Sequence, residues 1–247
     1  MKVLTLNLDG YGTKHGPWVE RRGAIAGAIG RHDPDVVALQ AVRKDATQVG
    51  GLDQASQLRE LLPQLPACAF EPAMVLPDGS VEGLAFLARS APEETGSRRL
   101  LLARDAEDSM RRLVFQASFQ VPGGVLRVFN AQFSSIPAQN AANLAEASES
   151  LARWDGPAVL VGDFNCRPDA PGLARLRAGG WEDLWGRLRP GDEGFTFESD
   201  RPDQRIDYVW VRPELLGRAH SIELVMASGS EGVRLSDHHG LLAAIDL

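Results

Sequence analysis

The chain has 247 residues, 44% of them hydrophobic and 24% charged, and its 33 acidic against 26 basic side chains leave a formal charge of -7. This describes a chain with enough apolar material for a sizeable core, and the acidic balance opposes wholesale wrapping of a polyanion while leaving room for a local basic patch. No run of about eighteen apolar residues exists to span a membrane. Two cysteines, Cys68 and Cys166, are too few for a disulfide framework and suit a reducing compartment. The opening residues carry no apolar leader with a cleavage site, so a single monomeric, cytoplasmic domain over residues 1–247 is expected.

In chain order, Val3 to Leu8 reads as a strand closed by Asp9-Gly10. Pro17 opens a helix through Ile25 and Ile29 to about His32, because proline is well tolerated in a first turn, and Asp33-Pro34-Asp35 breaks it. Val36 to Gln40 is a continuous apolar run suited to a buried strand, and Leu52 to Leu62 has helical spacing. Strands are expected over Ala67–Leu76, Gly83–Ala88, Arg112–Val121 and Val125–Phe133, the last two joined by a turn at Val121-Pro122-Gly123-Gly124. A helix over Pro137 to Arg153, a buried strand over Ala158–Val161 and a short helix over Gly172–Ala178 follow. Arg205–Val211, His220–Met226 and Gly240–Ile245 close the pattern as strands. Many strands with few helices between them predict two sheets face to face with helices outside, in one domain.

Polar residues at the ends of apolar strands are the first place to look for chemistry. Any one of them is more often an ordinary surface turn, but several such ends share a chemical type. Asn7 and Asp9 lie two apart at the end of the first strand, so their side chains can share a face. Asp163 and Asn165 repeat the spacing after Val159-Leu160-Val161. Asp207 stands in an apolar strand, where a carboxylate needs a partner, and Asp237-His238 precede the final strand. Carboxylates, amides and one imidazole fit a hard, oxygen-seeking cation such as Mg²⁺ or Mn²⁺, and no paired cysteine or histidine spacing suggests structural zinc.

Leu6-Asn7-Leu8-Asp9-Gly10, Leu39-Gln40, Gly162-Asp163-Phe164-Asn165, Arg205-Ile206-Asp207-Tyr208 and Ser236-Asp237-His238 resemble, in order, motifs of the endonuclease/exonuclease/phosphatase superfamily. Each motif alone is weak; five in order over nearly the whole chain are specific. The resemblance implies a DNase I-like α/β (α+β) fold, a four-layered sandwich of two packed mixed sheets flanked by helices, with the site at the ends of the central strands. It implies that Asp163 and Asn165 orient or deprotonate the attacking water, and that Asp207 fixes His238, which contacts the scissile phosphate. It further implies that Asn7, Asp9 and Asp237 hold Mg²⁺ or Mn²⁺, directly or through water. The partner would be a phosphate-ester substrate, either nucleic acid or a small phosphodiester.

Two departures stand against this pattern. The family's Leu-Gln-Glu reads Leu39-Gln40-Ala41 here, which removes the principal metal-binding carboxylate. The family's Asn-x-His reads Asn130-Ala131-Gln132, so Asn130 and Gln132 are the substrate-binding candidates on that strand. Gln132 can donate a hydrogen bond but cannot carry charge or transfer a proton at neutral pH. The expected function is a metal-dependent phosphoesterase weakened at these positions; the alternative is a degenerate member that binds a phosphorylated ligand.

For phosphate contacts the candidates are Arg21 and Arg22, Arg98 and Arg99, and Arg111 and Arg112, against the commoner role of solvated surface arginines. Trp18, Trp181 and Trp185 are candidates for base stacking, against core packing. Ser90 to Ser109, charged and without periodicity, reads as a mobile loop beside the cleft. His239 reads as a packing residue and Cys166 as a small buried filler.

Overall fold

Two six-stranded sheets form the interior of the computed structural model, which describes residues 1–101, 108–226 and 234–247. The first sheet contains β1 (Lys2–Asn7), β2 (Val36–Lys44), β3 (Ala67–Val75), β4 (Val81–Ala88), β11 (Ala219–Val225) and β12 (Gly240–Ile245). Its spatial order is β11-β12-β1-β2-β4-β3. The second contains β5 (Glu94–Arg99), β6 (Leu113–Val121), β7 (Gly124–Gln132), β8 (Ala158–Asp163), β9 (Glu182–Asp183) and β10 (Asp207–Val211), in the order β5-β6-β7-β8-β10-β9.

Each sheet has one parallel pair at its centre. β1 runs parallel to β2, joined by the helix α1 (Trp18–His32), and β7 runs parallel to β8, joined by α3 (Pro137–Leu151). The remaining pairings are antiparallel. A parallel pair needs a long crossover, and a helix that returns the chain to the same edge also covers one face of the sheet.

Three apolar layers follow. Phe86, Phe115, Phe119, Val128, Val161 and Leu241 fill the space between the sheets. Ile25, Ile29, Leu58 and Leu62 seal α1 and α2 (Gln54–Arg59) onto the first sheet, with Leu4, Leu6, Val37 and Leu39 beneath them. Leu144, Ala147 and Leu151 seal α3 onto Phe129, Leu160 and Trp210 of the second, beside α4 (Leu173–Ala178). The four-layered DNase I-like sandwich of mixed sheets is therefore the observed architecture. No helix among the described residues is long and apolar enough to cross a membrane.

Several local expectations are corrected. The stretch from Ser90 to Ser109 is not one loop: Glu94–Arg99 is an edge strand paired with β6, while 102–107 lie outside the described residues. Its charged side chains hide the strand from a hydrophobicity pattern, because an edge strand facing solvent carries charge that blocks pairing with other chains. The short helices α5 (Leu184–Leu188) and α6 (Pro213–Leu216) were not anticipated, being too brief to show a period. The helix expected from Leu52 to Leu62 shortens to Gln54–Arg59, capped by the Asp53 carboxylate, which accepts from the Ser56 N–H at 2.9 Å.

The topology fixes where chemistry can sit. β1, β2, β7 and β8 all finish at one end of the sandwich, so Asn7 lies opposite Gln40 and Gln132 opposite Asp163. β10 begins at that end, with Asp207 paired to Asp163, and β12 begins there too, just after His238. Loop residues at this edge converge because both parallel pairs point the same way.

Candidate active site

Five separate segments bring the expected site residues together. At the end of β1 the chain turns sharply, and Asp9 takes a positive φ of 55°. The Asn7 side-chain oxygen accepts the Asp9 N–H at 2.9 Å, while its amide group donates to Asp163 Oδ2 at 3.0 Å. The Asp9 carboxylate folds back over Gly12, where a Cβ would collide with both its oxygens, so the glycine makes room for it.

Arg21 holds this turn from below. It is fully buried and donates to the carbonyls of Leu8, Gly10, Gly12, Gly16 and Leu235 at 2.8–3.3 Å. One guanidinium thus ties the Asp9 loop to the segment carrying Asp237. Sequence reasoning offered Arg21 as a phosphate contact; its side chain is consumed by backbone instead. The available signal was its place on the buried face of α1 with Trp18 and Ile25.

Asp163, at the end of β8, is almost completely buried. Its Oδ1 accepts the Asn165 N–H at 2.9 Å, and its Oδ2 accepts from the side-chain amides of Asn7 and Asn165 at 3.0 Å each. Gln132 donates weakly to the same oxygen at 3.5 Å. Asn165 adopts a φ of 49° and also donates to the Phe133 carbonyl, which locks it across the strand ends. Burial raises the Asp163 pKa to about 6, with His238 opposing and Asp207 adding to the rise.

His238 is buried on the other side of this carboxylate. Its Nδ1 lies 2.8 Å from Asp207 Oδ2, and its backbone N–H donates to Ser236 Oγ. The Ser236 hydroxyl in turn donates to the Asn7 carbonyl at 2.6 Å, joining the end of β1 to the Ser-Asp-His segment. Asp207 is placed by Thr196, whose hydroxyl oxygen accepts its N–H. The second carboxylate oxygen, Asp207 Oδ1, is buried with no hydrogen-bond partner among the described residues. Burial pushes the imidazole pKa down, but Asp207, Asp163 and Asp237 together outweigh it and raise it to about 10. The neighbouring carboxylates therefore favour the protonated form of His238.

Beside these groups opens a polar cleft of about 380 Å³, lined among others by Asn7, Asp9, Ala41, Arg112, Gln132 and Asp237. Burial raises the Asp9 pKa, and the neighbouring Asp237 raises it further. The Asp9 carboxylate with Asp237 nearby is a donor set suited to a hard divalent cation, which takes one or two carboxylates and completes its shell with water. The residues present fit such an ion. Ala41, at the position of the family glutamate, adds no donor; it sits in a β-bulge of β2 with a φ of 50°. Glu82 also lines the cleft, but its carboxylate is held by Arg43 Nε at 3.2 Å.

The structure brings Asn7, Asp9, Gln132, Asp163, Asn165, Asp207, Asp237 and His238 to this one end of the sandwich. It does not bring Asn130, offered as a substrate contact. That side chain is completely buried and donates to the Leu39 and Ala85 carbonyls at 3.0 Å, while its oxygen accepts from Gln40 at 2.7 Å. It ties the two sheets together below the cleft. Trp18, Trp181 and Trp185 are core residues, at most 4% exposed. Cys166 is half-buried, and burial pushes its thiol up to about 12, which leaves it unreactive near neutral pH. Arg98 pairs with Glu146, and Arg99 donates to backbone carbonyls of Pro72 and Ala73.

Two mixed sheets between helices, with an acidic cleft and a carboxylate-held histidine at the shared strand ends, define a DNase I-like protein. Residues 4–238 match the sequence profile described as "Endonuclease/Exonuclease/phosphatase family". The chain belongs to that family, whose members hydrolyse phosphate esters. No curated protein sequence matches it. Among solved structures it is similar to an endonuclease/exonuclease/phosphatase family protein from Leptotrichia buccalis (TM-score 0.81, 19% identity, all of both chains covered). It is similar also to the Bacteroides thetaiotaomicron mannosyl-6-phosphatase Bt3783 (TM-score 0.72, 18% identity, all of both chains). A third is the Neisseria 3' phosphatase NExo bound to a product DNA hairpin (TM-score 0.72, 19% identity, all of both chains).

Proposed function

We propose that this protein is a divalent-metal-dependent phosphoesterase in which Asp163 is the base, His238 the electrophile and Asp207 its positioning carboxylate. The observation that carries this reading is the Asp207–His238 contact at 2.8 Å, set beside a buried Asp163 that is surrounded by amide donors. A buried carboxylate with its pKa raised to about 6 is a competent base near neutral pH, since catalytic efficiency peaks when the pKa approaches the working pH. Asn7 and Asn165 hold it in one orientation, so a water at its free edge would be aligned for in-line attack. The His238 imidazolium stabilises charge developing on the phosphoryl oxygens, and its proton stays on Nε2 because Asp207 accepts from Nδ1.

Asp9 and Asp237, with Asn7 beside them, would hold Mg²⁺ or Mn²⁺. When bound, the cation supplies charge stabilisation at the phosphoryl and leaving oxygens. The similar phosphatases named above support a phosphate ester as substrate. The acidic net charge favours a small ester over nonspecific duplex binding.

The test is turnover of an aryl phosphomonoester and a bis-aryl phosphodiester with Mg²⁺ or Mn²⁺, compared with Asp163→Ala and with chelator. Turnover that disappears in both arms supports the reading. Turnover unchanged by Asp163→Ala removes it.

Ala41 and Gln132 favour a second reading, in which the cleft binds a phosphorylated ligand without efficient hydrolysis. The double substitution Ala41→Glu with Gln132→His separates the two. An impaired enzyme should gain about 10²-fold or more in kcat/KM, the scale of one restored acid–base group. A binding protein should gain nothing while still retaining its ligand.

A further inference from the structure

His15 lies in the loop between β1 and α1, and the phosphoesterase chemistry does not use it. Its side chain is only 4% exposed, yet Nε2 is buried with no hydrogen-bond partner among the described residues. The ring faces two carboxylates from the segment before β10. Nε2 lies 3.9 Å from Glu198 Oε1 and Nδ1 lies 4.0 Å from Asp200 Oδ2, too far for hydrogen bonds. One ligating atom from each of the three residues falls within 4.8 Å of the others. Both segments are pinned by backbone. The Gly16 N–H closes a turn on the Thr13 carbonyl at 3.1 Å. Ser199, between the two carboxylates, donates from its N–H to the Asp237 carbonyl and from its hydroxyl to the Ser236 carbonyl, each at 2.7 Å.

The surrounding charges show where a cation is favoured. The Lys14 ammonium touches Glu198 Oε1 and lies 3.5 Å from Asp200 Oδ2, while Arg234 Nε holds Asp200 Oδ1 at 3.2 Å. The carboxylates are thus paired already, and the imidazole nitrogen is the group without a partner, which is costly for a buried polar atom. A divalent ion in place of the Lys14 ammonium would engage that nitrogen and both carboxylates together. Lys14 is well exposed, so releasing it to water costs little. Metal bonds of about 2.0–2.2 Å put two ligands of one ion roughly 3–4 Å apart, so small shifts of the two solvent-reaching carboxylates suffice. The donors also select the metal. An imidazole suits Zn²⁺ and its transition-metal neighbours, whereas Mg²⁺ prefers the oxygen-only set that Asp9 and Asp237 offer.

We propose that His15, Glu198 and Asp200 form a Zn²⁺ site separate from the cleft, in which Lys14 is the competing cation. One histidine and two carboxylates leave the fourth position of a tetrahedral ion to water. The ion would tie the loop that carries Asp9 to the segment that carries Thr196 and Phe197. Thr196 accepts the Asp207 N–H, and the Phe197 ring packs on His238 with centroids 4.9 Å apart. The metal is therefore a clasp between two loops beside the cleft, and it binds whether or not the cleft hydrolyses an ester.

Calorimetric titration with Zn²⁺ in excess Mg²⁺, which competes for the oxygen-only cleft, reads the site in the wild type, His15→Gln, Glu198→Gln, Lys14→Gln and the cleft control Asp237→Asn. The wild type and Asp237→Asn should each bind one Zn²⁺ that Mg²⁺ does not displace. His15→Gln and Glu198→Gln should each weaken it by about 100-fold or more, since even an outer-shell loss costs about 10–100-fold. Lys14→Gln should tighten it by up to about 5-fold, the scale of an exposed ion pair. Should His15→Gln fail to fold, the solvent-reaching Glu198→Gln alone decides: zinc bound as tightly as in the wild type overturns the proposal. So does a wild type that takes no Zn²⁺ under these conditions, or a folded His15→Gln that binds it equally well. Zinc lost in Asp237→Asn but kept in the His15 and Glu198 variants would assign the ion to the cleft and discard the separate site, leaving the phosphoesterase reading in place.

Discussion

His238→Asn is expected to lower kcat/KM by about 10²–10⁴-fold, the usual contribution of a positioned acid or base, with little change in fold. The Asp207–His238 pair also predicts the shape of the pH profile. Asp163 must be deprotonated, so activity should fall as pH drops through about 6. His238 must be protonated, so activity should fall as pH rises through about 10. The result is a bell with a broad plateau between these limbs, read in kcat/KM for the free enzyme.

Asp207→Asn tests the origin of the alkaline limb. Burial alone pushes the imidazole down, and the carboxylates reverse that shift. Without the Asp207 charge, the limb should move to lower pH by several units, and much of the activity at pH 8–9 should vanish. Stability should follow the same sign. A histidine whose folded pKa lies above its ordinary 6.5 contributes stabilisation that is complete below 6.5 and is lost as pH rises through about 10. The stability difference between wild type and Asp207→Asn should therefore shrink between those values. An alkaline limb that stays in place in Asp207→Asn would show that another group sets it.

The second large effect concerns backbone. Gly162 precedes Asp163 with a φ of 135°, and a Cβ there would run into the Ala131 carbonyl of β7. Parallel strands β7 and β8 are in register at this point, Ala131 opposite Gly162, so neither can retreat without breaking the ladder. Overpacking typically costs about 1–3 kcal/mol, and a residue forced into glycine-only backbone costs about 1–3 kcal/mol more. Gly162→Ala should therefore destabilise by about 2–6 kcal/mol, lowering Tm by roughly 10 °C for a chain of this size. Thermal unfolding by circular dichroism measures it. Any folded fraction should also lose activity, because Asp163 and Asn165 would shift with the strand end. A Tm within about 2 °C of wild type would mean that the strand ends are looser than their register implies.

Gly162 also illustrates what the chain order of residues could not reveal. The tetrad Gly162-Asp163-Phe164-Asn165 was readable as a motif, and its chemical types pointed to a hard-cation or phosphate site. The reason for the glycine lies in Ala131, thirty-one positions earlier, and appears only when β7 and β8 pair. Asn130 and Gln132 make the same point. They lie two apart on one face of β7, and the family pattern offered both as substrate contacts. Pairing between the sheets buries the first against Gln40 and sends the second into the cleft, because the strand ends at Gln132 while Asn130 is still inside the sandwich. Arg21 and Arg112 were likewise equivalent as members of arginine pairs. One closes the Asp9 loop against five carbonyls, and the other is left facing the cleft.

Periodicity, turn residues and the order of five short motifs were enough to determine the layered α/β class, nearly every strand and the family. Those signals are local, arising from backbone sterics and from which side chains tolerate burial within a few neighbouring positions. Tertiary structure alone decided which polar side chains share a hollow, which are spent on scaffold, and which pKa values move. Those outcomes depend on distances between residues up to 231 positions apart, as between Asn7 and His238, and on how much water the surrounding layers exclude.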